Sequence, residues 1–242
     1  MTRALVVQHI RCEPAGVFAG VLGRHGITID TVELDEGDRL PDWRDVDLVV
    51  VMGGPMGVND EAEHPWLAAE KRWIAAAVRA GVPYFGVCLG AQLLAASLGA
   101  RVGTGSAPEV GVLPVTLTAP GRADPVVSVM GSEFLALQWH GDTFDIPAGA
   151  MCLGRSAAYP HQAMRFGDVA YAVQFHVEVT GPMFEQWRHV PAYAASAQAA
   201  LGASGFDSLA RAFAGSREAM AESAERMFHS WLGQTGIHCS ET

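Results

Sequence analysis

Apolar and polar positions along the chain follow two rhythms. Short unbroken apolar runs read as strands buried on both faces: Ala4 to Ile10, Leu48 to Met52, Tyr84 to Val87 and Ala170 to Phe175. Thr28 to Leu34 alternates instead, as a half-buried strand does. Between these runs the period lengthens to that of a helix. Pro14 to His25 places Val17, Phe18, Val21 and Leu22 at helical spacing, with Gly26 where a helix stops. Pro65 to Ala80 opens on proline and ends before Gly81, and Leu89 to Leu98 follows the Tyr84 run. This β-α alternation predicts a parallel sheet with helices on both faces.

The rhythm changes after Gly99. Glu109 to Thr118, Pro125 to Met130, Phe134 to Trp139 and Ala163 to Phe166 read as short strands punctuated by Gly and Pro. Ala192 to Gly205 reads as a linker or a loosely packed helix. Ser208 to Leu232 reads as one or two Ala-rich helices broken near Gly215. Val82 to Ala100 is 19 residues without a charge, long enough for a membrane span, but Pro83, Gly86, Gly90, Gln92, Ser97 and Gly99 interrupt it. A buried strand followed by a buried helix is the reading taken.

Composition narrows the function classes. With 50% apolar and 17% charged residues in 242, the chain is a folding one. The 16 basic and 26 acidic residues give a net charge of −10, and Lys71 is the only lysine. No basic stripe is present to displace counterions from a duplex or to dock on an anionic membrane, so neither partner is expected. Cys12, Cys88, Cys152 and Cys239 are far apart and form no CxxC pair, as in a reduced, cytoplasmic protein. His9, His64, His161, His189, His229 and His238 share no metal-ligand spacing and read as structural or exposed; no metal or cofactor is expected.

Chemistry gathers at three strand ends. Gly86-Val87-Cys88-Leu89-Gly90 is G-x-C-x-G between a strand and a helix, the setting of a nucleophile elbow. The helix start favours a thiolate at Cys88 and leaves the Leu89 N–H free for a developing oxyanion. Gln174-Phe175-His176-Val177-Glu178 places His176 and Glu178 on one side of a strand end, the Glu able to orient the imidazole. Met52-Gly53-Gly54-Pro55 turns after a buried strand, where ligands bind in such sheets. Trp139-His140-Gly141-Asp142 is a weaker fourth signal. By themselves these residues indicate a cysteine nucleophile working on an acyl group.

The segments Gly53-Gly54-Pro55, Gly86 to Gln92 and Val173 to Glu178 resemble the class I (triad) glutamine amidotransferases. The likeness is greatest to the amidotransferase portion of GMP synthase and its stand-alone relatives, and covers residues 4 to 190. It implies a flavodoxin-like three-layer α/β sandwich with a mostly parallel central sheet, a nucleophile elbow and a helical C-terminal extension. The expected organisation is one domain over 1–242, with the extension over 191–242. It implies hydrolysis of the glutamine side-chain amide through a Cys88 thioester, with His176 as base and acid and Glu178 orienting it. It also implies an oxyanion hole from Gly54 and Leu89, and substrate contacts from Gly53, Pro55, Gln92, Trp139 and His140. Two departures stand out: Val177 where the family often has Pro, and Ala91 where relatives often carry His or a larger residue. No S-G-G-x-D-S loop or P-loop follows, so an ATP-using synthetase half is not expected. Three roles then compete: a self-sufficient hydrolase of glutamine or another γ-glutamyl compound, an ammonia-donating subunit of a separate synthetase, and an idle regulatory subunit. The intact Cys88, His176 and Glu178 argue against the third. A homo-oligomer is left open.

Overall fold

Four apolar residues make strand β3 (Leu48–Val51), and all four are buried, so layers of side chains must cover both of its faces. The computed structural model describes residues 2–237; His238 and Cys239 lie outside them. Around β3 stand β1 (Arg3–Gln8), α1 (Val17–Arg24), β2 (Thr28–Glu33), α2 (Trp66–Arg79), β4 (Tyr84–Val87) and α3 (Leu89–Ser97). The chain continues through β5 (Val102–Leu117), a short α4 (Ala119–Ala123), β6 (Glu133–Phe144), β7 (Ala150–Arg155), β8 (Ala163–Phe166) and β9 (Ala170–Val173). It closes with α5 (Gly181–Trp187), α6 (Pro191–Leu201) and α7 (Gly205–Gln234).

The nine strands form one mixed sheet in the order β2-β1-β3-β4-β9-β8-β7-β5-β6. The first five run parallel, and every pairing from β9 through β8, β7 and β5 to β6 is antiparallel. The expected three-layer α/β sandwich is therefore present, with an antiparallel half as large as the parallel one. Alternation along the parallel strands sorts the core. Ala4, Val6, Leu48, Val50, Phe85 and Val87 face α1 and α7, while Leu5, Val7, Val49, Val51 and Tyr84 face α2 and α3. The antiparallel half curls back on the parallel half. Leu137 of β6 exchanges two backbone hydrogen bonds with His176, just past β9, at 3.0 and 2.8 Å.

Three elements differ from expectation. Pro125 to Met130 is not a strand. Asp124 Oδ1 accepts from the N–H groups of Val126 and Val127, and Ser128–Met130 is a single 3-10 turn against α7. Its apolar run marks burial rather than extension. β7 carries little signal because Ala150-Met151-Cys152-Leu153-Gly154 is poor in β-branched residues and holds a glycine. Gly215 does not interrupt α7, which runs unbroken for 30 residues. The Ala192 to Gly205 segment is mostly the helix α6, with Tyr193 and Ala197 buried. Val82 to Ala100 resolves into β4 and α3, and no helix among the described residues is long and apolar enough to cross a membrane.

Candidate active site

The elbow comes first, because its backbone sets everything else. Cys88 has φ +52°, the only positive φ outside glycine among the described residues. Such a conformation costs about 1–3 kcal/mol and persists only where surrounding structure imposes it. Here β4 ends and α3 begins at once, with the Cys88 carbonyl already accepting from Ala91 and Gln92. The glycines on either side are steric requirements. A Cβ on Gly90 would lie 2.1 Å from the Val51 carbonyl oxygen, and one on Gly86 would lie 2.7 Å from the Gly90 backbone.

The β4–β9 register aligns Val87 with Val173, so Cys88 and Gln174 leave the sheet side by side. The Cys88 N–H donates to the Val173 carbonyl at 2.8 Å. His176, two residues further on, stands close enough to Cys88 for the two groups to act on each other electrostatically. On its other side its Nδ1 lies 2.8 Å from Glu178 Oε1. The second Glu178 oxygen accepts from the Val177 N–H at 3.0 Å, which fixes the carboxylate plane. All three side chains are buried. Burial works against a charged imidazole, but the Glu178 charge, the nearby Cys88 and the hydrogen bond to Glu178 outweigh it. His176 is held well above its ordinary value.

Above Cys88 opens a cleft of about 270 Å³. Of the residues singled out in the sequence, Gly54, Pro55, Cys88, Gln92, Trp139 and His140 line it. Gly53, Leu89, His176 and Glu178 do not line it. Gln92 donates from Nε2 to Gln174 Oε1 at 3.2 Å. His140 contacts Glu109 at 3.0 Å through Nε2. Burial disfavours ionised Glu109, yet the hydrogen bonds from His140 and Gln162 prevail and hold its carboxyl below its ordinary value.

The structure adds contacts that local patterns do not reveal. Gln174 directs its amide nitrogen at Cys88 Sγ, 3.6 Å away. Tyr193 and Ser196 of α6 form one wall of the cleft, and Ser196 accepts from Trp139 Nε1 at 2.7 Å. Tyr193 donates to the buried carboxyl of Glu13, whose other oxygen has no partner. Glu13 presses on Gly53, where a Cβ would lie 2.1 Å from Glu13 Oε2 and 3.3 Å from His176 Cε1. Burial pushes the Glu13 carboxyl up, against the pull of His176 and Tyr193. No sequence spacing links residues 13, 53, 176 and 193; the sheet order gathers the loops that carry the first three, and α6 brings Tyr193 to them. Among the described residues, no group of three or more His, Cys, Asp and Glu side chains is arranged to hold a metal ion.

Comparison with known proteins gives the family. Residues 19–186 match the family model for glutamine amidotransferase class-I. A glutamine amidotransferase-like protein of Salmonella typhimurium, YfeJ, is 34% identical over 74% of this chain and 76% of its own. A glutamine-hydrolysing GMP synthase subunit from Natronomonas pharaonis is 31% identical over 78% of this chain and 98% of its own. Several GMP synthases are matched over 23–25% of their length. The crystal structure of a glutamine amidotransferase from Thermotoga maritima superposes with a TM-score of 0.84 at 26% identity, covering 97% of each chain.

Proposed function

Because the chain belongs to the class I glutamine amidotransferases, we propose that it hydrolyses the side-chain amide of glutamine to glutamate and ammonia. The observation that carries this reading is the hydrogen-bonded His176–Glu178 pair beside the Cys88 elbow, with Cys88 lining an amino-acid-sized cleft. The cleft lies below the ~300–1,000 Å³ typical of drug-sized ligands.

Cys88 Sγ attacks the amide carbon of glutamine as a thiolate, its proton already resting on His176. The carbonyl oxygen becomes an oxyanion, received by the N–H groups of Gly54 and Leu89. As the C–N bond breaks, His176 returns the proton to the departing nitrogen, and ammonia leaves a γ-glutamyl thioester on Cys88. His176 then takes a proton from water, the hydroxyl adds to the thioester, and the C–S bond breaks. Glutamate departs, and the Cys88 thiolate again faces a protonated His176. Glu178 keeps the imidazole in the tautomer and orientation this cycle needs. Pro55, Gln92, Trp139 and His140 enclose the amino-acid end of the substrate, with Tyr193 and Ser196 completing the wall.

The test is release of glutamate and ammonia from glutamine, with Cys88→Ala as control. Release that vanishes in the variant supports the reading. A second reading is favoured by the likeness to the Natronomonas pharaonis GMP synthase subunit: the chain feeds ammonia to a separate synthetase. It predicts slow release by the chain alone and acceleration when the partner is added. If glutamine is untouched but a glutamine-like electrophile still labels Cys88, other γ-glutamyl compounds become the substrates to try.

A further inference from the structure

The proposed mechanism leaves one fully buried ionisable pair without a role. His9 directly follows β1 and has no exposed surface. Its Nδ1 lies 3.0 Å from the Gly53 carbonyl oxygen, and its Nε2 lies 3.0 Å from Glu70 Oε1 on α2. The Trp66 ring stacks beside the imidazole at 5.5 Å. A carbonyl oxygen only accepts, so Nδ1 carries a proton. Nε2 faces a carboxylate, so a second proton lies between ring and carboxylate. Burial strips charge from an imidazole, but Glu70, the Gly53 carbonyl and the charge of Glu13 reverse this and raise His9 above its ordinary value.

The Gly53 carbonyl and the Gly54 N–H are the two ends of a single planar peptide group. A donor at the oxygen draws electron density through that conjugated unit and strengthens the N–H as a donor. Gly54 lines the cleft beside Cys88. We propose that the His9–Glu70 pair is a positioning device for the oxyanion hole, fixing the Gly53–Gly54 peptide plane and polarising the N–H that meets the tetrahedral intermediate. This rests on the reading that Cys88 attacks an amide with the Gly54 N–H as a donor.

Three full-length variants separate charge from shape. Glu70→Gln keeps a hydrogen-bonding side chain of the same size against Nε2 but removes the charge. His9→Asn places an amide N–H where Nδ1 stood. His9→Gln reaches towards Glu70 and leaves the Gly53 oxygen bare. Two readouts are taken on each: kcat and KM for glutamine or γ-glutamyl p-nitroanilide, and the rate at which iodoacetamide alkylates Cys88, read on the Cys88 peptide by mass spectrometry. Alkylation displaces iodide and forms no oxyanion. Loss of one oxyanion donor costs about 10²–10³ in kcat, so weakening one is expected to cost about ten- to a hundredfold. The order expected is wild type, then His9→Asn, then His9→Gln, with Glu70→Gln also reduced, KM moved less than about twofold and alkylation unchanged. Variants with wild-type kcat overturn the proposal. So does a loss of kcat matched by an equal loss of alkylation, which marks a collapsed elbow. Wild-type protein that cleaves neither substrate fails in a different arm; it sinks the functional reading and this proposal with it.

Discussion

Cys88 is held in a conformation that its residue type avoids, and its glycine neighbours are the reason it can be. That much is legible in the sequence, because G-x-C-x-G compresses the whole steric problem into five residues. The His176–Glu178 pair is legible for the same reason: two residues of spacing and one strand end decide it. The pair gives the sharpest residue-scale prediction. Glu178→Gln keeps the volume but leaves His176 without the charge that holds it up, so kcat for glutamine falls about 10²–10⁴-fold with KM little changed. Steady-state kinetics beside iodoacetamide labelling of Cys88 reads this directly, and a kcat within about threefold of wild type would remove Glu178 from the mechanism. Glu13 and His9 are not legible as neighbours of the site. Glu13 and Tyr193 are 180 positions apart, one in the loop after β1 and the other on α6, and only the folded chain brings them together.

At the scale of elements, the parallel half is readable because buried strands and amphipathic helices carry strong periodic signals. The antiparallel half is harder. β7 is built from weak strand formers, and the Val126–Val127 pair is buried by a turn rather than by a ladder. Two helices signal less than they do. α6 carries Tyr193 and Ser196 into the cleft wall, so its alanine-rich sequence conceals a role set by packing. Ser196→Ala removes the acceptor of the Trp139 indole N–H and is expected to cost about 1–3 kcal/mol. A several-fold higher KM for glutamine accompanies that loss; thermal melts and initial rates check both. Gly215 sits inside α7 with nothing within 4 Å of where a Cβ would stand. Tertiary packing of Phe213, Met220, Met227 and Phe228 carries the helix through it. Gly215→Ala is therefore expected to stabilise by about 0.5–1 kcal/mol, raising the melting temperature with activity unchanged.

At the scale of the molecule, three buried groups share one sign. His9 and His176 are raised above 6.5, and Glu13 is raised above 4.5. Each keeps its proton in the folded chain at pH values where the unfolded chain has released it. The folded state binds more protons, so stability falls as pH rises, for Glu13 from about 4.5 and for the histidines from about 6.5 upward. One retained proton is worth about 1.4 kcal/mol per pH unit, or about 3–5 °C of melting temperature in a chain of this size. Calorimetric scans from about pH 6 to 9 are expected to show a steady decline, and a flat profile would contradict it. The same scale gives α7 its meaning. Phe228 stacks on Phe18 of α1 at 4.3 Å, and Trp231 meets the edge of Phe85 in β4 at 5.3 Å. This helix, about 45 Å long, thus covers the face of the sheet laid down by the first hundred residues. On the ribosome every strand is made before it. The nascent chain therefore carries that aromatic face uncovered until α7 emerges, an interval in which exposed apolar surface is prone to aggregation.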